Sequence, residues 1–219
     1  AIAAQKLPYI KTFTCGFDLH SASGLELAFD ERDKAEFMSY LFKTEHYEIV
    51  LKAGDMERVM PSLAWHLEEP RVGQSYPNYY IAQLASKFVK VVLAGSGGDE
   101  LFGGYHRSKV YDSQASDVFC ELPYYHLPRL DRVMMRETVE QRSPFLAPSV
   151  VAFALKTPRV FRTGKLILKN AYCDLLPTDI LMRDKHPLNR YRFPGLHDMS
   201  LLVGSEHRLF RGEDFGHRF

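Results

Sequence analysis

The sequence predicts an α/β layered domain with a largely parallel sheet and helices on both faces, followed by a mostly helical C-terminal half. Three observations carry this. Strand-type and helix-type periods alternate through the first hundred residues. The run Phe88–Ala94 (FVKVVLA) is apolar, β-branched and ends at glycine, as buried parallel strands do. After Tyr105, prolines at 123, 128, 144, 148, 158, 177, 187 and 194 cut the chain into short helical pieces.

Taken in order, Ile10–Phe17 reads as a strand, and Phe29–Lys43 as a helix with an acidic start at Asp30 and Glu31. Tyr47–Leu51 reads as a second strand, Met56–His66 and Tyr79–Lys87 as helices, and 88–94 as a buried strand. We divide the chain into an α/β part at 1–107, a helical part at 108–199 and a tail at 200–219.

Composition narrows the function classes. The 219 residues are 46% hydrophobic and 25% charged, with a formal net charge of +1, which suits a globular chain. That balance gives no electrostatic reason to expect nucleic acid or an anionic membrane. No apolar run approaches the roughly 20 residues that span a bilayer. Cys15, Cys120 and Cys173 stand far apart without a CxxC pair, so half-buried free thiols and a cytoplasmic setting are expected. Among nine histidines there is no HxxxH or HExxH pattern, and His106, His126 and His186 read as surface or hydrogen-bonding residues. Tyr79, Tyr80, Tyr124 and Tyr125 read as packing residues.

The chemistry concentrates in VVLAGSGGDELFGGYHR, 91–107. Ligands of open parallel sheets bind where strands end at their carboxyl side. Here a strand runs into Gly95, Ser96, Gly97 and Gly98, where glycines let backbone N–H groups approach phosphates. Asp99 and Glu100 then place hard oxygen ligands beside that backbone, suited to Mg²⁺ on phosphates. A Rossmann GxGxxG is excluded because Glu100 stands where its third glycine belongs, and a Walker A ending is absent.

DELFGGY at 99–105 resembles the signature of the asparagine synthetase family's synthetase domain, an ATP pyrophosphatase. Further blocks are similar in the same order: TFTCGF at 12–17, DKAEFMSYLFKTEHYEIVL at 33–51 and HLEEPRVGQSYPNYYIAQLA at 66–85, which resembles the lining of the amino-acid pocket. LPRLDRVMMRETVEQRSPFL at 127–146 and LMRDKHPL at 181–188 complete the series.

The resemblance implies an adenine nucleotide alpha hydrolase-like fold, with ATP and Mg²⁺ as cofactors. It implies adenylation of a side-chain carboxylate, that of aspartate, with release of pyrophosphate. Ammonia from a glutaminase domain then forms the amide, in a protein of asparagine biosynthesis that also acts as a glutamine amidotransferase and forms a homodimer. Cys15, Ala94, Gly95, Gly97 and Gly98 would hold the nucleotide and Asp99 the metal. Lys185 would neutralise phosphate charge at a catalytic position. Glu140 and Arg142 resemble a family pair, read as a buried structural ion pair or as substrate contacts.

Three departures are legible. The family's SGGxDS loop, with its strand and a second aspartate, is expected upstream of Ala1, as is the glutaminase domain, so this chain by itself is expected to be inactive. Ser96 occupies the catalytic position of a family glutamate that assists proton movement, and Ala94 replaces a serine. The connection from Tyr105 to the LPRLDR block is short, about 20 residues. A ligase for another carboxylate, or a non-catalytic homologue, therefore stays open beside the aspartate reading.

Overall fold

The computed structural model describes residues 1–21, 30–69 and 74–183, all within the compact unit Ala1–Leu188. Lys185, His186 and the tail from 200 lie outside the described residues, as do Phe29 and positions 70–73.

A short helix α1 (Ile2–Lys6) leads into β1 (Lys11–Phe17), α2 (Arg32–Phe42) and β2 (Glu45–Leu51). Next come α3 (Asp55–Leu67), α4 (Ser75–Ala85), β3 (Val91–Leu93) and α5 (Gly98–Leu101). The second half holds α6 (Arg107–Val110), α7 (Gln114–Ser116), a π-helix over Asp117–His126, α8 (Leu127–Arg136) and β4 (Glu140–Arg142). It continues through α9 (Pro148–Lys156), α10 (Arg159–Arg162), α11 (Leu166–Ala171) and α12 (Thr178–Leu181).

The result is mixed α/β with mostly helical content and short parallel strands. Where one parallel sheet is expected, the described strands form two separate pairs, β1–β2 and β3–β4, each parallel. Lys11 lies opposite Glu45 and Phe17 opposite Leu51, while Val91 lies opposite Glu140 and Leu93 opposite Arg142.

The principal core follows from helical spacing. On α3, Val59, Leu63 and Leu67 recur every fourth residue and are buried. On α4, Tyr76, Tyr79, Ala82 and Ala85 recur every third. These stripes meet Phe17, Leu51 and Val133 in one cluster, with Cys15, Met56, Met60 and Tyr80 packed on it. Ala82 continues the α4 stripe into a second cluster with Met134 and Val139, against which Val92 packs. Helix α4 thus contributes to the cores of both strand pairs.

The strand expected at 88–94 is shorter and more open than the apolar run suggests. Only Val91–Leu93 pair, and Val91 and Leu93 are 42% and 67% exposed while Val92 turns inward. The ladder partner β4 is three residues long, so it covers no more. Phe88 leaves the strand altogether and tilts onto Tyr47, ring centroids 3.9 Å apart, beside Phe13.

Further expectations need correction. Cys120 and Cys173 are exposed and only Cys15 is half-buried. Tyr124 is 70% exposed, because the π-helix presents it to solvent rather than to the core. Glu140 and Arg142 do pair, at 2.8 Å, but on the outer face of β4 and more than half exposed, not buried.

Candidate nucleotide site at the end of strand β3

Strand β3 ends where Ala94 donates its N–H to Arg142 O, extending the ladder by one bond. The chain then turns through Gly95–Gly97 into α5. Gly97 has φ +91°, a left-handed conformation, and an added Cβ would overlap Leu146 and lie 2.9 Å from its Cγ. Gly98 abuts the Phe145 ring at 3.2 Å. Gly97 is therefore required by its backbone and by packing on Leu146, Gly98 fits tightly against Phe145, and the Gly98 N–H is spent on Gly95 O at 3.1 Å. Gly95 differs. It is exposed, and nothing lies within 4 Å of where its Cβ would be. Of the turn's four residues, Gly95 and half-buried Ser96 border open space.

Ser96 Oγ accepts a hydrogen bond from Gln141 Nε2 at 3.3 Å, so β4 braces the turn through a neutral amide. Asp99 and Glu100 take different partners. The Asp99 carboxylate, a quarter exposed, meets Lys165 Nζ at 2.5 Å. Glu100 is buried and accepts the Tyr105 hydroxyl. Burial, and then the Glu100 carboxylate, push the Tyr105 phenol far above its usual range, so it stays protonated and donates.

Lys165 reaches Asp99 because the segment 162–165 crosses directly over the second glycine pair. Gly164 N–H donates to Gly103 O and Lys165 N–H to Phe102 O. Gly103, at φ +57°, leaves 3.2 Å between its would-be Cβ and Arg162 O. A Cβ on Gly104 would overlap Asp99 Oδ1 and stand 2.5 Å from Lys165 Cε. The crossing segment is itself anchored by Arg162, whose guanidinium grips Asp112 with bonds of 2.9 and 2.6 Å.

Behind α5 lies a polar cluster. Arg107 stacks 4.4 Å over the Tyr105 ring and pairs with Asp117 at 2.6 Å and Glu121 at 2.7 Å. His126 Nε2 is 3.6 Å from Glu100, 3.7 Å from Glu121 and 3.4 Å from the Tyr105 hydroxyl. Its Nδ1 faces Arg129, whose guanidinium also donates to Gln74 Oε1 at 3.1 Å.

Of the residues singled out in the sequence, Ala94, Gly95, Ser96, Gly97, Gly98 and Asp99 come together here. Cys15 lies in the other strand pair, opposite Ile49, and burial followed by the Asp30 charge pushes its thiol up to about 12. Lys185 lies outside the described residues. Lys165, Gln141 and His126 were not legible as site residues. Lys165 comes from 66 positions downstream of Asp99, and no local pattern marks it.

Among the described residues no three His, Cys, Asp or Glu side chains gather to hold a metal. A single carboxylate beside an open glycine turn does fit Mg²⁺ arriving with phosphates, since that ion keeps most of its water and takes one or two carboxylates. Among the same residues no helix is long and apolar enough to cross a membrane.

A family model described as asparagine synthase matches residues 1–119 and 107–199. A Methanocaldococcus jannaschii protein, provisionally named as a glutamine-hydrolyzing asparagine synthetase, is 39% identical over 98 residues, 44% of this chain and 19% of its own length. Asparagine synthetase (glutamine-hydrolyzing) 1 of Bacillus subtilis is 32% identical over 107 residues, 48% of this chain and 16% of its own. Asparagine synthetase (glutamine-hydrolyzing) 3 of Arabidopsis thaliana is 28% identical over 193 residues, 78% of this chain and 33% of its own. The chain thus spans a third or less of the length of these relatives. With its DELFGGY turn, open strand end and family match over most of its residues, the chain belongs to the asparagine synthase family.

Proposed function

We propose that this chain supplies the ATP-handling site of an amide ligase with an adenine nucleotide alpha hydrolase-like fold, acting on a side-chain carboxylate, that of aspartate. The observation that carries the reading is the pairing of Asp99 with Lys165 against Gly104, on the helix that follows the exposed Gly95. A carboxylate and an ammonium at one strand end are complementary to a metal and to the phosphates it accompanies. Bound ATP and Mg²⁺ would supply the adenylyl group and a neutralised pyrophosphate leaving group.

The chain's own part is positioning and charge. Gly95 leaves room for a nucleotide against the turn. Asp99 would take the metal, freeing Lys165 to face phosphate oxygens, with Lys185 as a second cation. Gln141 holds Ser96 beside the reacting region. This assigns nucleotide binding to 1–107 with Lys165 contributed by the helical part, 108–199. Ammonia would come from glutamine hydrolysis, in a reducing cytoplasm suited to three free thiols.

The neutral Ser96–Gln141 pair favours a second reading, a ligase for another carboxylate, because no side-chain base stands at position 96. Pyrophosphate exchange into ATP by the full-length protein tests both. Exchange that requires aspartate and disappears in Asp99→Asn supports the first, and exchange dependent on another acid the second. Exchange with no acid, or undiminished in Asp99→Asn, overturns the proposal.

A further inference from the structure

The polar cluster behind α5 lies off the turn's open face, yet it is tied to the site by a single covalent step, Glu100 to Asp99. Glu100 accepts the Tyr105 hydroxyl and lies 3.6 Å from His126 Nε2. His126 lies 3.7 Å from Glu121, Glu121 pairs with Arg107 at 2.7 Å, and Arg107 caps the Tyr105 ring. The five side chains close a ring. Three of its members, Glu100, Tyr105 and Arg107, flank the turn, while Glu121 and His126 come from the π-helix.

The π-helix explains how the last two reach one point. They are five residues apart, the span of one hydrogen-bonded loop when bonds run from i to i+5. In an α-helix of 3.6 residues per turn the same pair would diverge to different faces. On this element Phe119 and Tyr124 are exposed, Leu122 is buried and Val118 packs on the Leu101–Phe102–Ala154 cluster.

We infer that Tyr105 and His126 are positioning residues: with Glu121 presented by the π-helix, they clamp Glu100 and so hold α5 in the orientation that aims Asp99 at Lys165 and the open turn. The inference rests on the reading of Asp99 as the metal-facing carboxylate, but its first test does not.

That test is hydrogen exchange on the full chain, without ligand. Two amides report the α5 turn, Leu101 N–H on Gly97 O and Gly104 N–H on Asp99 O. Tyr105→Phe and His126→Leu are expected to speed exchange at Leu101 and Gly104 by about 10-fold, the loss of one hydrogen bond. Exchange in β1 and β2 should stay unchanged, and His126→Gln, which keeps a donor, should restore most of the protection. No rise at α5, or an equal rise throughout the chain, overturns the inference. The second measurement is a Mg²⁺ titration of ATP binding by calorimetry on the full-length protein, where Tyr105→Phe should raise the Mg²⁺ concentration needed by about 10-fold, as for an outer-shell partner of a metal ligand. If Asp99→Asn raises it and Tyr105→Phe does not, positioning fails while the site reading survives. If neither does, both fall.

Discussion

Replacing Gly104 by alanine would separate the candidate site from the fold that carries it. The added Cβ would overlap Asp99 Oδ1, and would lie 2.8 Å from Asp99 Cγ and 2.5 Å from Lys165 Cε. All three atoms belong to side chains, and Gly104 needs no left-handed backbone, so the chain path can stay. What must move is the carboxylate or the lysine stem. Overpacking costs about 1–3 kcal/mol in a rigid core, and these side chains, 25% and 39% exposed, place the stability cost at about 1 kcal/mol. For a chain of this size that is a fall in Tm of about 2–4 °C.

Gly103→Ala makes the control. There the φ of +57° and the backbone of Arg162 and Thr163 at 3.2 Å leave nothing flexible to yield, so the larger loss of stability belongs to that variant. Melting curves and calorimetry with ATP and Mg²⁺ on the full-length protein read the two effects separately. Gly104→Ala should bind Mg²⁺-ATP about 10- to 100-fold more weakly while melting almost normally. Full affinity in Gly104→Ala, with the side chains of Asp99 and Lys165 displaced, would refute the argument that their placement makes the site.

Lys165→Gln removes the cation facing Asp99 and should lower ATP affinity about 10-fold, the worth of one charge-assisted bond, by calorimetry. The hydrogen bond from Arg162, followed by desolvation that opposes it, holds the Asp112 carboxyl below its ordinary value. Its contribution to stability is then present above about pH 3.9 and lost as pH falls through the lower folded value. Asp112→Asn should accordingly melt lower at pH 7 and show a shallower loss of Tm on acidification below pH 4. Cys15, its thiol raised to about 12 by burial, should react with iodoacetamide at pH 8 far more slowly than Cys120 and Cys173 until the chain is unfolded, as peptide mass mapping would show.

Local pattern carried far in this chain. The helices α3 and α4 follow from periodicity, because each buries one stripe against a neighbour, and the strands β1 and β2 and helix α2 fall where the sequence pattern places them. The family was legible because the residues that point to it, DELFGGY and the run from Ala94 to Asp99, are contiguous. The apolar run at 88–94 misled, since hydrophobicity alone does not say how many partners a strand finds. Here β4 offers three residues, and Leu93 remains exposed.

The rest was decided in three dimensions. That Gly97 and Gly98 are spent on Phe145 and Leu146, that Lys165 crosses Gly103 and Gly104 to meet Asp99, and that Gln141 rather than a carboxylate faces Ser96 all depend on segments 40 to 70 residues apart. The π-register that brings Glu121 and His126 together has no composition signal. Sequence period reports which face of an element is buried. Which distant side chain completes a site depends on how the elements pack, and that is settled only when the whole chain has folded.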